Sequence, residues 1–444
     1  MRERVSDRER VSDRERTDMY NEFKIWAQLA FTSGIRNSCW VLPWLVSLAF
    51  VGHVSTDYLA SLSLMELWLF TFINISWYSI EYTQNTLVSQ AHGSGSYISM
   101  KGYAVMSAIS LSICNVFIAV LCLTTTPILT AFGFEYATVQ RGQVYALLII
   151  PTIFIEGFNR SAINYLAAAQ MSWVPMVIQS LHVFVDIPLC YLFVFGYSGV
   201  MSPMNPLAGN AAAWFISSVV GAFANCLTLC YCDVGAHMHT GSYTRIENSE
   251  VELIEASAAR PSSDDKAIII DSTASLCLWL RDSHHWSGFI GQFFPNAVSE
   301  ALFAIMFVIQ AFFVAKLGNV QLASNNVSWA IFELALTLVT GTVTLAHALY
   351  ILVLVRCCLT LSQPPTGAAE ATSIRIGYHI GNADAASAKT TLLVGLGSGC
   401  FLCVVIGSLG FIFRQELTEL LSSDQVSSLT DLLYSPLDHT QFSK

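Results

Sequence analysis

The stretch FVGHVSTDYLAS, Phe50 to Ser61, decides how this chain is read, because it returns as FVAKLGNVQLAS at Phe313 to Ser324, an offset of 263 residues. Both copies open on Phe-Val and close on Leu-Ala-Ser, and each joins the end of one long apolar run to the start of the next. A fainter echo follows each copy: SQAHG at Ser89–Gly93 against GYHIG at Gly377–Gly381, an offset of 288. One helical unit present twice, once per half, is the mark of a transporter built from internal repeats.

Composition agrees. Only 12% of the 444 residues are charged, against about 25% in soluble domains, and mean hydropathy is +0.55. With apolar runs near 20 residues this predicts an all-α protein in a lipid bilayer. Spans are expected at about 27–51, 59–88, 103–126, 143–167, 172–196, 208–231, 288–316, from 321, and 390–413. Acidic and basic residues of 2–16, RERVSDRERVSDRER, read as a solvated tail. The segmentation expected is a tail at 1–21, a six-helix bundle at 22–232, a polar cytoplasmic linker at 233–285, a partial second bundle at 286–413 and a tail at 414–444. On a plan of two six-span bundles, three spans are lacking after the ninth. The two offsets also differ by 25 residues, which places an insertion near 342–366 containing Pro364-Pro365. It is either a gene-model error or a real extra hairpin.

Lys and Arg fall mostly on one side: the N-terminal arginines, Lys101, Arg245, Arg375 and Lys389, against Arg141 and Lys316 on the other. The positive-inside rule then puts the N-terminus in the cytoplasm. No basic patch interleaved with aromatics points to nucleic acid. The cysteines lack zinc-site spacing, and no nucleophile–base motif or phosphate loop appears, so neither an enzyme, a metal site nor a cofactor is expected.

These residues resemble the multidrug and toxic compound extrusion (MATE) transporters. FVGH at 50–53 with Gly52 and His53, SQAHG with Gln90 and Gly93, LCYLFVFG at 189–196 and ATSIRIGYHIGNADAASAK at 371–389, with Arg375, Gly377 and Gly381, are similar to motifs of that family. The resemblance implies two helical bundles related by a pseudo-twofold axis, the second incomplete here. It further implies exchange of small organic, often cationic, compounds for protons or sodium, in a plasma or vacuolar membrane. A lipid-linked precursor flippase of the same superfamily, or a non-functional truncated relative, are the alternatives.

A proton-coupled exporter needs acids at membrane depth, where a charge costs about 2.5–3.5 kcal/mol even on lenient scales. Glu300 is the first candidate, followed by Glu333, Glu370, Glu81 and Asp186, with Glu66 and Glu156 also inside spans. Each has a competing structural role: Glu81 and Glu370, near-counterparts across the repeat, as gating or anchoring groups, and Asp186 as a local pair with His182. Trp77, Tyr78 and Gln310 are expected to line a cavity for organic cations. Arg36 and Arg160 read as isolated charges, which favours cationic cargo.

Overall fold

The structure, a computed structural model, describes residues 2–196, 202–231, 276–315 and 366–412. Every regular element among them is a helix. The first half comprises α1 (Arg2–Val54), α2 (Thr56–Gly93), α3 (Tyr97–Ala131), α4 (Tyr136–Leu148), α5 (Ile150–Ala168), α6 (Trp173–Phe195) and α7 (Pro206–Tyr231). The second half contributes α8 (Ser283–Ala315), α9 (Thr366–Gly381) and α10 (Ala385–Ile412). Met19–Val54, α2, α3, α6 and α7 are each long and apolar enough to cross a membrane, and α4 and α5 pass the same test only as a pair, bent by 49° at their break.

Burial is inverted relative to a soluble protein. Phe117, Leu123, Phe184 and Phe223 face outward, while Arg36, Glu66, Glu156, Asp186, Glu370 and Arg375 are buried. Large exposed apolar faces on helices with internally satisfied backbones suit hydrocarbon, not water. Leu48, Leu62, Met65, Leu69, Ile73, Trp77 and Ile80 form the main apolar core beneath them.

Two local readings change. The charged residues of 2–18 are helical and continuous with α1, because Arg and Glu are good helix formers and alternate in sign at helical spacing. The fourth span is not one rod. Pro151 stands in the first turn of α5, and a proline without an N–H bends the span at Ile149.

The halves meet where α9 lies between α1 and α2, with α8 packed on α2 and α10 on α9 and α1. At the crossing of α2 and α9 the backbones nearly touch. A Cβ on Gly93 would overlap the Tyr378 carbonyl oxygen, one on Gly381 the Gln90 carbonyl oxygen, and one on Gly377 the Ser89 hydroxyl. Under the 288-residue offset Gly93 corresponds to Gly381, Gln90 to Tyr378 and Ser89 to Gly377. The first two contacts are therefore images of one another, and the third is its own image. That is the reciprocal pattern of a twofold interface, so the pseudo-twofold axis passes close to Ser89 and Gly377.

Candidate functional site

The buried arginines converge. Arg36, on α1, is ion-paired with Glu370 on α9 and stands 3.8 Å from Glu81 on α2. Arg160, on α5, holds the other oxygen of Glu81 at 3.0 Å. The two arginines and two carboxylates balance in charge, and Arg36 and Glu370 are each only 5% exposed at the side chain. Buried charges persist only when paired and hydrogen-bonded; Arg36 gains a further acceptor in Asn37 Oδ1, at 2.9 Å. Four helices thus depend on one another through four side chains.

This quartet lies at a cleft lined also by Trp40, Tyr78, Tyr82, Glu156 and Gln179. The Arg160 guanidinium sits over the rings of Trp40, Trp77 and Tyr78, at 4.2, 4.7 and 5.5 Å from their centroids. Trp77 does not line the open cleft. It is buried in the core, and its indole N–H donates to Asn115 Oδ1 at 3.0 Å. Tyr78 does line it.

Glu300 is half-buried on α8, near enough for Glu81 to act on its carboxyl electrostatically. Four residues earlier on the same helix, Asn296 donates to Thr83 Oγ1 at 3.2 Å. Gln310 falls farther along α8, and Glu333 and the 342–366 segment lie outside the described residues.

Asp186 is not paired directly with His182, the partner expected from their spacing. Ser217 on α7 stands between them: its hydroxyl donates to Asp186 Oδ1 at 2.9 Å and lies 2.7 Å from His182 Nε2. Gln179 Nε2 lies 3.1 Å from His182 Nδ1, which fits a ring protonated on Nε2. Of the remaining carboxylates, Glu66 accepts the Trp44 indole N–H at 2.8 Å and Glu156 accepts from Asn159 at 3.1 Å.

A second constellation was not anticipated. Arg375 on α9 donates to both oxygens of Glu22 on α1, at 2.9 and 2.6 Å, and to Gln170 between α5 and α6 at 3.3 Å. Thr391 on α10 donates to Glu22 at 2.7 Å, and His379 stands 3.2 Å from it. Nearby the Trp26 indole N–H donates to Thr372 Oγ1 at 2.9 Å. Arg375 thereby ties α9 to α1. Glu22 gave no signal, since it read only as the polar start of the first span. His53 is exposed and its ring turns back to the Ala49 carbonyl at 2.7 Å, while Gly52 packs against Leu59. Among the described residues no three His, Cys, Asp or Glu side chains are grouped to hold a metal ion.

Comparison with known proteins bears on this geometry. The MatE family model matches residues 34–192. Protein DETOXIFICATION 9 of Arabidopsis thaliana is 27% identical over 164 residues, which are 35% of this chain and 33% of that protein. Protein DETOXIFICATION 23 of the same organism is 28% identical over 162 residues, 36% of this chain and 33% of that protein. The matched segment therefore spans about a third of the length of these curated relatives. In fold, the eukaryotic MATE transporter AtDTX14 superposes with a TM-score of 0.69 at 16% identity, over 94% of this chain and 79% of that one. A MATE protein in complex with MaD5 superposes at 0.64 and 16% identity, over 93% and 78%.

Proposed function

We propose that this chain, which is similar to the MatE family model over residues 34–192, works as a multi-pass membrane transporter that exports small organic compounds in exchange for a cation, a proton in our reading. The carrying observation is the buried Arg36–Glu81–Arg160–Glu370 network at the cleft where α1, α2 and α5 meet α9. Each carboxylate there is ion-paired with an arginine that a change of conformation would withdraw. A carboxylate stripped of its partner at membrane depth takes up a proton. That couples proton uptake to the separation of the two halves.

Glu300, Glu81, Glu370 and Asp186 are the coupling acids in this reading, with Glu333 a further candidate on family resemblance. Glu300 has the best case, being close to Glu81 without an arginine of its own among the described contacts. The Glu22–Arg375 cluster, with the Gly93 and Gly381 crossing, would form the closed gate. The Lys and Arg distribution favours placing that gate on the cytoplasmic face, with the N-terminus on the same side. We further take 22–232 and 286–413 as the two rocking units, 233–285 as their connection, and the plasma or a vacuolar membrane as the location.

The convergence of Arg36 and Arg160 on the cleft is the one feature that speaks for the flippase reading, since an anionic head group needs basic partners. Both arginines already have carboxylate partners, so exchange of organic compounds is preferred. The test is uptake of a fluorescent organic cation into proteoliposomes under an imposed pH gradient. Glu300→Gln is expected to abolish gradient-driven uptake while leaving equilibrium exchange; unchanged gradient-driven uptake would remove Glu300 from the mechanism.

A further inference from the structure

The surroundings of Arg160 are those of a bound ligand. Its guanidinium lies over the rings of Trp40, Trp77 and Tyr78 and is paired with Glu81 at 3.0 Å. Aromatic faces closed by one carboxylate are how proteins recognise organic cations, and a guanidinium stacks on such rings where an ammonium does less well. The rings are braced from behind: Trp40 meets Trp77 edge-on at 6.2 Å and Trp214 at 6.3 Å. Trp40, Tyr78, Glu81 and Arg160 itself all line the cleft, so the pocket is open to an incoming molecule. Arg160 also has somewhere else to go. Glu156 lies one turn earlier on α5 and lines the same cleft, and side chains four apart on a helix are neighbours.

We infer that Trp40, Trp77, Tyr78 and Glu81 form a site for flat, delocalised organic cations, and that Arg160 is its tethered resident. Cargo of the amidinium, guanidinium or aromatic iminium class enters by displacing the Arg160 head toward Glu156. As a substrate site this deepens the exporter reading and rests on it; the binding chemistry does not. A tethered competitor acts at an effective concentration in the millimolar range, so an empty transporter keeps a neutral, filled cage and weak ligands are excluded. Cargo and resident never share the cage, which keeps the charge of the site constant during loading.

The experiment is titration calorimetry of benzamidinium, with neutral benzamide as control, on the full chain in lipid nanodiscs. Arg160→Met is expected to bind benzamidinium at least about tenfold tighter than the unchanged protein, with benzamide unaffected, and Arg160→Met/Trp40→Leu is expected to lose that gain. Equal or weaker binding by Arg160→Met would overturn the inference, as would the absence of binding in both proteins. Should Arg160→Met fail to fold, Arg160→Gln serves with the same expectation. Nitrogen-15 spectra of the unchanged protein give an independent readout. The ring-shifted Arg160 signal must move on saturation with benzamidinium, and a signal that stays put counts against displacement. A failure of gradient-driven uptake with these binding results intact would sink the exporter reading alone.

Discussion

Arg36 holds one carboxylate from each half of the chain, and among the described residues only Arg36 does so at the cleft. Replacing it with methionine leaves Glu370 buried and unpaired, which costs about 3–5 kcal/mol. Chemical unfolding in micelles is expected to show that loss, and Arg36→Met/Glu370→Met to recover most of it, since a removed pair leaves no orphan charge. A double variant no more stable than the single one would show that the pair is not the unit. Charge inside an apolar run was enough to single out Glu81, Glu300 and Glu370 in the sequence. It applied equally to Arg36 and Arg160, whose convergence no local pattern records, because Arg36 and Glu370 are 334 positions apart. Arg160 lies over the rings of both Trp77 and Tyr78, and Trp77 is core rather than cavity wall.

The crossing of α2 and α9 was legible as an echo, SQAHG against GYHIG, because close backbone approach demands small residues at matching places in both copies. Gly93→Val puts a branched side chain where the Tyr378 carbonyl stands and should hold the helices apart. A cysteine at Ser89 is then expected to react severalfold faster with a membrane-impermeant maleimide applied from the side of the α2–α3 turn. An unchanged rate would mean the crossing tolerates separation and is no gate. The start of α10 offers a pH test. Asp384 accepts the Ser387 amide at 3.1 Å and its hydroxyl at 2.7 Å, and these bonds hold its carboxyl below the usual carboxylate range. A lowered folded-state value means the cap is complete above about pH 4 and is lost as pH falls through it. Amide exchange in the first turn of α10 should quicken at that acidity, and Asp384→Ala should quicken it at neutral pH. The break at Ile149 and the helical 2–18 segment escaped the sequence reading for opposite reasons. Apolar periodicity runs through a proline bend without a gap, and a charge run says solvated without saying coiled.

The duplicated pattern carries the architecture further than any other feature of the chain: it specified two related units, and the reciprocal glycine contacts locate their axis. What it did not specify is which groups break the symmetry. Under the 263-residue offset Arg36 corresponds to Ser299, so the hub has no image in the other half. Its partner Glu370, like Arg375 for Glu22, comes from the opposite unit. Among the described residues, Arg36 and Glu22 of the first half and Glu370 and Arg375 of the second find their ion-pair partners across the join. Two separately translated polypeptides, 1–232 and 286–444, should accordingly seek one another out. Co-expressed with a tag on one, they are expected to co-purify, and Arg36→Met with Arg375→Met should sharply reduce the yield of the complex. Equal recovery from the charge-free pair would assign recognition to the glycine crossing instead. Exclusive pairing of this kind would also keep such a protein from cross-assembling with the halves of its relatives, a form of self-recognition written in buried ions rather than on the surface.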